Sequence, residues 1–426
     1  MGTKELYDEY LITGMVDGFE PIEVVRAAQC TLTGADGRAY LDCFSGIAVV
    51  NAGHGHPHVL AAARAQMEAL VHCGTYLYYS PRAGELARRL AAVTPGRLQK
   101  SFFGNSGAEA IEGALRLAKQ FTGRKELIAL NMGFHGRTAG TLSITGNRSR
   151  KKGNGPYLAG VAFAPAPYCY RCPLRQTYPG CGVACAEYLA EVLRCQTAGD
   201  VAAFVAEPVM GEGGIIVPPP EYFKIAMRHI RQDGALFLVD EVQSGFGRTG
   251  KLFAIEHYDV EPDLMAMAKG IADGFPLSAF IARAEIAAAF KPGDHLSTFG
   301  GNPVSCAAAL ANIEVLLAED LCGNAMRRGA QIRQRLEACR ERQPLIGEVR
   351  GLGLMIGVEL VTDRQRTPGV QAARQIREAC RQQGVLIGLG GLYGNVLRVQ
   401  PPLVLTAAEA DHACDVMEWA IKQVKI

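Results

Sequence analysis

The sequence predicts an α/β fold: a large domain with a mostly parallel central sheet wrapped by helices, and a smaller α/β domain drawn from both termini. Two observations carry this. From about residue 100 to 285, continuous apolar runs alternate with segments of helical period, as strands buried on both faces do. Beyond about residue 310 the pattern changes to a second group of strands and helices. At 426 residues and 49% hydrophobic composition, the chain can hold two or three domains around a sizeable core.

The runs of the large domain are "SFFG" (101–104), "LIALNM" (127–132), "VAAFVAEPV" (201–209), "LFLVDEV" (236–242) and "LSAFIAR" (277–283). Ala108–Phe121 reads as a helix with Ile111, Ala114, Leu115, Ala118 and Phe121 on one stripe. Further on, residues 346–360, 384–391 and 396–405 read as strands, and 370–383 and 407–424 as helices. The expected division is an N-terminal segment 1–55 joining the small domain, a large domain 56–310 and a C-terminal small domain 311–426.

Charge is balanced, 44 Lys and Arg against 42 Asp and Glu, with no long basic block, so nucleic acid is not an expected partner. No apolar run approaches the roughly 18 residues of a membrane span. The first 21 residues carry acidic side chains and no signal-like apolar core, so the expected location is cytoplasmic. Thirteen cysteines, mostly in apolar or helical sequence, fit reduced thiols better than a disulfide framework.

The chemistry lies after the strands. "SFFG" runs into "NSGAEA", "LIALNM" into "GFHGRT", "VAAFVAEP" into "VMGEGG", and "LFLVDE" into "VQSGFGRTG". In open α/β sheets ligands bind outside the carboxyl ends of strands, so these clusters should converge. Ser106 and Glu109 form a capping box that starts a helix at Gly107–Ala108, and its free amides suit a phosphate as well as a plain cap. Asp240 closes an apolar strand and needs a cation, either an arginine or a protonated ring nitrogen. Phe134 and His135 offer a flat face and a polar edge, or simple core packing. Lys269 ends the apolar run "LMAMA"; it either snorkels to solvent or is a desolvated, nucleophilic amine. A phosphate cradle, an acidic partner for a ring nitrogen, an aromatic plate and a desolvated lysine together match pyridoxal phosphate.

From about Gly37 to Gln400 the chain resembles the class III aminotransferases of the fold-type I pyridoxal-phosphate enzymes, and 4-aminobutyrate aminotransferases most. The resemblance rests on "YLDCFSGIAVVNAGHGHP", "NSGAEAIEGALRLAK", "GFHGRT", "EPVMGEGG", "DEVQSGFGRTG", "AKGIADGFPL", "STFGGNPVSCAAAL", "VRGLGLMIGVEL" and "NVLRVQPPL". It implies that Lys269 carries the cofactor as a Schiff base and then moves protons. It implies that Ser106, Gly107 and Ala108 hold the phosphate, and that Phe134 stacks on the ring beside His135. Asp240 would pair with the ring nitrogen and Gln243 with the phenolic oxygen. Thr298 would reach the phosphate of a neighbouring subunit, making the active unit a homodimer.

The resemblance also assigns the substrate side. Arg137 would take the distal carboxylate of an ω-amino acid, and Arg398 an α-carboxylate, with Glu207 covering Arg398 when no α-carboxylate is present. Arginine forks onto carboxylates as lysine cannot. The expected reaction moves an amino group from a 4-aminobutyrate-like donor to a 2-oxo acid, 2-oxoglutarate foremost. Alanine–glyoxylate or pyruvate-type and ornithine-type transamination stay open, as does a racemase or epimerase on the same scaffold. Ile47, where a 2,2-dialkylglycine decarboxylase would carry Gln, argues against decarboxylation. Met210 stands where the family usually has Gln, which touches side-pocket preference. Two other readings are weaker: "GLGLMIG" (351–357) as a dinucleotide loop, and His54, His56 and His58 as metal ligands.

One stretch is not needed for transamination. "CYRCPLRQTYPGCGVAC" places Cys169, Cys172, Cys181 and Cys185 within 17 residues, spaced to surround one metal. The expectation is an iron–sulfur cluster or zinc, by analogy with a cluster in some 4-aminobutyrate aminotransferases, with free thiols or disulfides as the alternatives.

Overall fold

The computed structural model describes residues 2–14 and 19–424. Its strands are β1 (Val24–Ala28), β2 (Thr31–Gly34), β3 (Ala39–Asp42), β4 (Leu98–Gly104), β5 (Glu126–Leu130), β6 (Val161–Ala164), β7 (Val201–Ala206) and β8 (Leu236–Asp240). They continue with β9 (Leu264–Met267), β10 (Ser278–Arg283), β11 (Ile346–Leu352), β12 (Met355–Leu360), β13 (Val385–Leu386), β14 (Gly388–Gly390) and β15 (Val396–Val399).

Seven strands form the central sheet in the order β4-β10-β9-β8-β7-β5-β6. Neighbours from β9 to β6 are parallel, while β10 runs antiparallel to both β9 and β4. Every residue of β7 and β8 is buried, which is why both read as unbroken apolar runs. Alternation along the strands still sorts the faces. Ala203 and Val205 pack with Ile111, Ala114, Leu115 and Ala118 of the helix Gly107–Thr122. Phe204 faces the other way and stacks on Phe237, ring centroids 5.8 Å apart. Phe121, expected on the helix's apolar stripe, is instead 40% exposed at its last turn.

The smaller domain draws on both termini. One four-stranded sheet joins β1, β2 and β3 to β13 from the C-terminal third, with Val385 opposite Leu41. A second has the order β11-β12-β15-β14. The glycine run once weighed as a dinucleotide loop is the β11–β12 hairpin, turning at Gly353 with φ +52°. The long helix Pro303–Ala318 is buried over most of its length against Pro57–Ala69 and Pro81–Val93, and residue 310 lies inside it.

Two local readings change, one strand added and one shortened. β6 was not read: its run is only four residues long. The sheet is mostly parallel, as expected, and β10 is its antiparallel member, a direction that apolar periodicity does not carry. Of residues 396–405, only Val396–Val399 is strand; Pro401 and Pro402 cannot continue a ladder.

Candidate active site

The polar clusters do converge. The loops after β4, β5, β7, β8 and β9, and the approach to β10, line one cavity of about 330 Å³. Its walls include Ser106, Gly107, Ala108, Phe134, His135, Glu207, Asp240, Gln243 and Lys269.

At one end sits the start of the helix Gly107–Thr122. Ser106 Oγ accepts the Glu109 amide at 3.3 Å, and Glu109 Oε2 accepts the Ser106 amide at 2.9 Å. That box leaves the amides of Gly107 and Ala108 without partners among the described residues, at the mouth of a four-turn helix, an anion site by field and geometry. Gly107 is required there, since a Cβ would lie 2.8 Å from Val242 Cγ1.

At the floor, β8 delivers Asp240, only 4% exposed. Its Oδ2 lies 2.7 Å from His135 Nδ1, and its Oδ1 accepts the Val242 amide at 3.0 Å. His135 Nε2 is buried with no partner. Burial opposes charge on His135, but the hydrogen bond and charge of Asp240, with Glu207 adding, raise its pKa above the ordinary histidine value. Phe134 stands beside it, its ring 6.0 Å from the Arg137 guanidinium carbon.

Lys269 follows β9 with φ +44°, an uncommon backbone state for a side chain with a Cβ and one that gathers at functional sites. Its ammonium makes no hydrogen bond or ion pair among the described residues. Desolvation lowers its pKa against the pull of Asp240, Glu212 and Glu207, with Arg398 pushing the same way as burial. An amine so placed gives up its proton more readily than a surface lysine.

Behind Gln243 lies Arg398, 1% exposed. Its Nη2 donates to Gln243 Oε1 at 2.8 Å and Gln400 Oε1 at 3.0 Å, and its Nη1 to Glu212 Oε1 at 3.0 Å. Its guanidinium also lies over Phe44, 5.2 Å from the ring centre. Gln243 therefore turns its oxygen to Arg398 and keeps its Nε2 donor free. Glu212 feels burial first, but Arg398 and then Arg150 hold its carboxyl down at about 2.

Here the expectation for Glu207 is corrected. Its oxygens accept the amides of Phe134 at 2.9 Å and Gly211 at 2.8 Å, so it ties two site loops together. The carboxylate on Arg398 is Glu212, five residues on in the same motif. Glu212, Gln400, Arg150 and Val242 were all missed. The second Glu of "EPVMGEGG" was the available signal; the others carry none in sequence.

The remaining candidates lie off the cavity wall. Arg137 is exposed, and Thr298 is exposed beside Phe299. Ile47 is 40% exposed with φ +71°, and its neighbour Val49 lines the cavity. Met210 is fully buried in the core. His54, His56 and His58 pair separately with Asp42, Glu319 and Glu314.

The metal expectation is corrected too. Cys169, Cys172, Cys181 and Cys185 do line one small cavity. Yet no three His, Cys, Asp or Glu side chains among the described residues are placed to hold a metal ion. Burial raises the Cys169 thiol to about 11 and the Cys185 thiol to about 12.

The family model for class III aminotransferases matches residues 15–421. The chain belongs to the class III aminotransferases. This aminotransferase is 40% identical over 409 residues to an acetylornithine aminotransferase of Methanothermobacter thermautotrophicus, covering 95% of each chain. It is 39% identical to a leucine/methionine racemase of Thermococcus litoralis, over 96% of this chain and 92% of that one. It is 35% identical to a probable 4-aminobutyrate aminotransferase of Bacillus subtilis, over 97% and 96%. Among solved structures it superposes on a PLP-bound amine transaminase from an uncultivated Pseudomonas species, with TM-score 0.92 and 34% identity, covering 98% of this chain and 99% of that one.

The aminotransferase is thus a pyridoxal-phosphate-dependent transaminase of fold type I, acting on an amino donor and a 2-oxo acid. The cavity fits that cofactor on its own evidence: two unpartnered amides at one end, a buried carboxylate at the other, and an unpaired lysine between. Among the described residues no helix is long and apolar enough to cross a membrane.

Proposed function

We propose that this aminotransferase moves an amino group from an ω-amino acid of the 4-aminobutyrate type to a 2-oxo acid, with 2-oxoglutarate as acceptor. The observation that carries this is the Glu212–Arg398 contact at 3.0 Å. A buried arginine covered by a removable carboxylate serves a site that alternates between substrates with and without an α-carboxylate. With Glu212 in place, the charge of Arg398 is covered when an ω-amine binds. With Glu212 displaced, Arg398 offers a fork to an α-carboxylate. Arg137 suits the distal carboxylate, since it is exposed beside the Phe134 ring and is paired with no acid among the described residues.

In this reading Ser106 and the amides of Gly107 and Ala108 bind the phosphate, Phe134 covers the ring, Asp240 faces its nitrogen and Gln243 donates to its phenolic oxygen. Pyridoxal phosphate supplies the electron sink that makes the proton on the amine-bearing carbon removable. Lys269 carries the cofactor at rest and, once free, takes that proton on Nζ, as its lowered pKa allows. His135 holds Asp240 in place and balances its charge.

The homodimer belongs to the same proposal. Tyr76–Tyr79, Leu296 and Phe299 are exposed. Their segments are joined where Thr75 Oγ1 donates to the Gly300 carbonyl at 2.6 Å and His72 packs against Phe299. Such an apolar surface beside Thr298 suits a second copy. The domain limit near residue 55 is kept as part of this reading, supported by the separate sheets, whereas the limit at 310 falls inside the helix Pro303–Ala318 and moves past its end.

The test is a donor and acceptor screen on purified holoenzyme. 4-Aminobutyrate should be deaminated with 2-oxoglutarate, and borohydride should fix the cofactor on Lys269. Preference for pyruvate or glyoxylate would move the acceptor; α-amino donors used in place of ω-amines would overturn the donor. The racemase relative motivates one control: a single enantiomer incubated without any 2-oxo acid keeps its chirality if the chain is a transferase.

A further inference from the structure

We infer that Arg150 is the positioning residue that receives Glu212 when the carboxylate leaves Arg398, and so sets how easily α-carboxylates enter the site. The inference rests on the reading of Arg398 as the α-carboxylate fork. It comes from how Glu212 is shared. One oxygen, Oε1, contacts Arg398 Nη1 at 3.0 Å; the other, Oε2, contacts Arg150 Nη2 at 2.9 Å. By side chain, Glu212 is 16% exposed, Arg398 2% and Arg150 35%, so the carboxylate sits between a buried cation and one at the rim.

Arg150 has room for more of it. Its Nε is buried with no partner, and Glu212 is the only acid paired with it among the described residues. The Nε and Nη2 edge of a guanidinium can fork onto both oxygens of a carboxylate. Glu212 therefore has somewhere to go: a small turn that releases Oε1 from Arg398 can bring it to the vacant Nε–H. A one-contact pair becomes a two-contact pair, and the displaced carboxylate is never left unpaired in a desolvated place. Asn147 caps the short turn Arg148–Lys151 by accepting the Ser149 amide at 2.9 Å, which fixes the backbone beneath Arg150.

The test uses holoenzyme and glutarate, an unreactive dicarboxylate, with binding read by calorimetry, alongside KM for 2-oxoglutarate and for 4-aminobutyrate. In Arg150→Met, the dissociation constant for glutarate and the KM for 2-oxoglutarate should rise about tenfold, while the KM for 4-aminobutyrate stays level or falls. Arg150→Lys, which keeps a cation without the fork, should take an intermediate value. In a Glu212→Gln background the same Arg150→Met change should have no effect, because no charged arm remains to be received. An equal loss with and without Glu212, or an equal loss on both substrates, overturns the inference. Arg398→Ala separates the two levels: if it leaves glutarate binding intact, the underlying reading fails. If it abolishes binding while Arg150→Met does nothing, the role of Arg150 alone fails.

Discussion

His135 Nδ1 meets Asp240 Oδ2 at 2.7 Å while the other nitrogen of the same ring is buried without a partner. The pair is a charge held ready: Asp240 is anchored from behind by His135 and from its own loop by the Val242 amide, leaving its open side to the cavity. Asp240→Asn keeps the shape and removes the charge that would face a ring nitrogen. We expect kcat to fall by about 10²–10⁴-fold, with cofactor still bound, measured by steady-state kinetics and the visible spectrum. A loss under threefold would remove Asp240 from the chemistry.

The phosphate end can be tested without catalysis. In Gly107→Ala the new Cβ would stand 2.8 Å from Val242 Cγ1, so the helix start must shift. Overpacking of this kind costs about 1–3 kcal/mol, and we expect cofactor affinity to fall about tenfold by fluorescence titration. Val242→Ala in the same chain should recover most of it. No recovery would place the fault in backbone conformation instead.

Arg137→Ala should lower kcat/KM for 4-aminobutyrate by about 10–100-fold, the worth of a charge-assisted fork, while leaving cofactor absorbance unchanged. Primary amines lacking a carboxylate should be turned over as before. Unchanged kinetics with 4-aminobutyrate would sink the assignment.

Stability of the cofactor-free protein should depend on pH in a definite direction. Burial raises Glu207, Glu241 and Asp273 each to about 7, and His135 is raised by Asp240. All four hold protons more tightly folded than unfolded. For the carboxyls the stabilisation is full below their ordinary values near 4 and is lost as pH rises through about 7. For His135 it is full below about 6.5 and lost through its raised native value. Urea midpoints should therefore fall from pH 5 to 8, each carboxyl contributing up to about 1.4 kcal/mol per pH unit within its window. Glu241→Gln, whose neighbours are Ser244 and the Ile255 amide, should flatten the slope. A midpoint that rises across this range would contradict the burial of these groups.

Much of the site was legible because each residue ends a strand, and strands announce themselves. Asp240 closes "LFLVD", Lys269 follows "LMAM", and the capping box marks the helix at Gly107. What failed were choices that backbone pattern cannot make. Glu207 and Glu212 lie five residues apart in one motif, and only the turn between them decides which reaches Arg398. Arg150 sits in a basic run that reads as solvated surface. β10 looks like its neighbours because hydrophobicity has no direction. Cysteine spacing predicted that the four residues gather at one cavity, but no three ligand side chains among the described residues are placed to hold a metal ion.

The cavity is stitched from early and late parts of the sequence: Val49 from one, and from the other Arg398 and Gln400, which fix Gln243. On the ribosome this has a consequence. A nascent chain could finish the seven-stranded sheet once β10 emerges, yet Gln243 would still lack both of its anchors for more than a hundred residues of synthesis. In the proposed reading, full-strength cofactor capture thus waits for Arg398 and Gln400 to reach Gln243. A ligand that binds only the completed fold then draws the equilibrium toward it by mass action. Cells short of the vitamin that supplies this cofactor should accumulate the chain in a form more readily degraded, although every residue of it is correct.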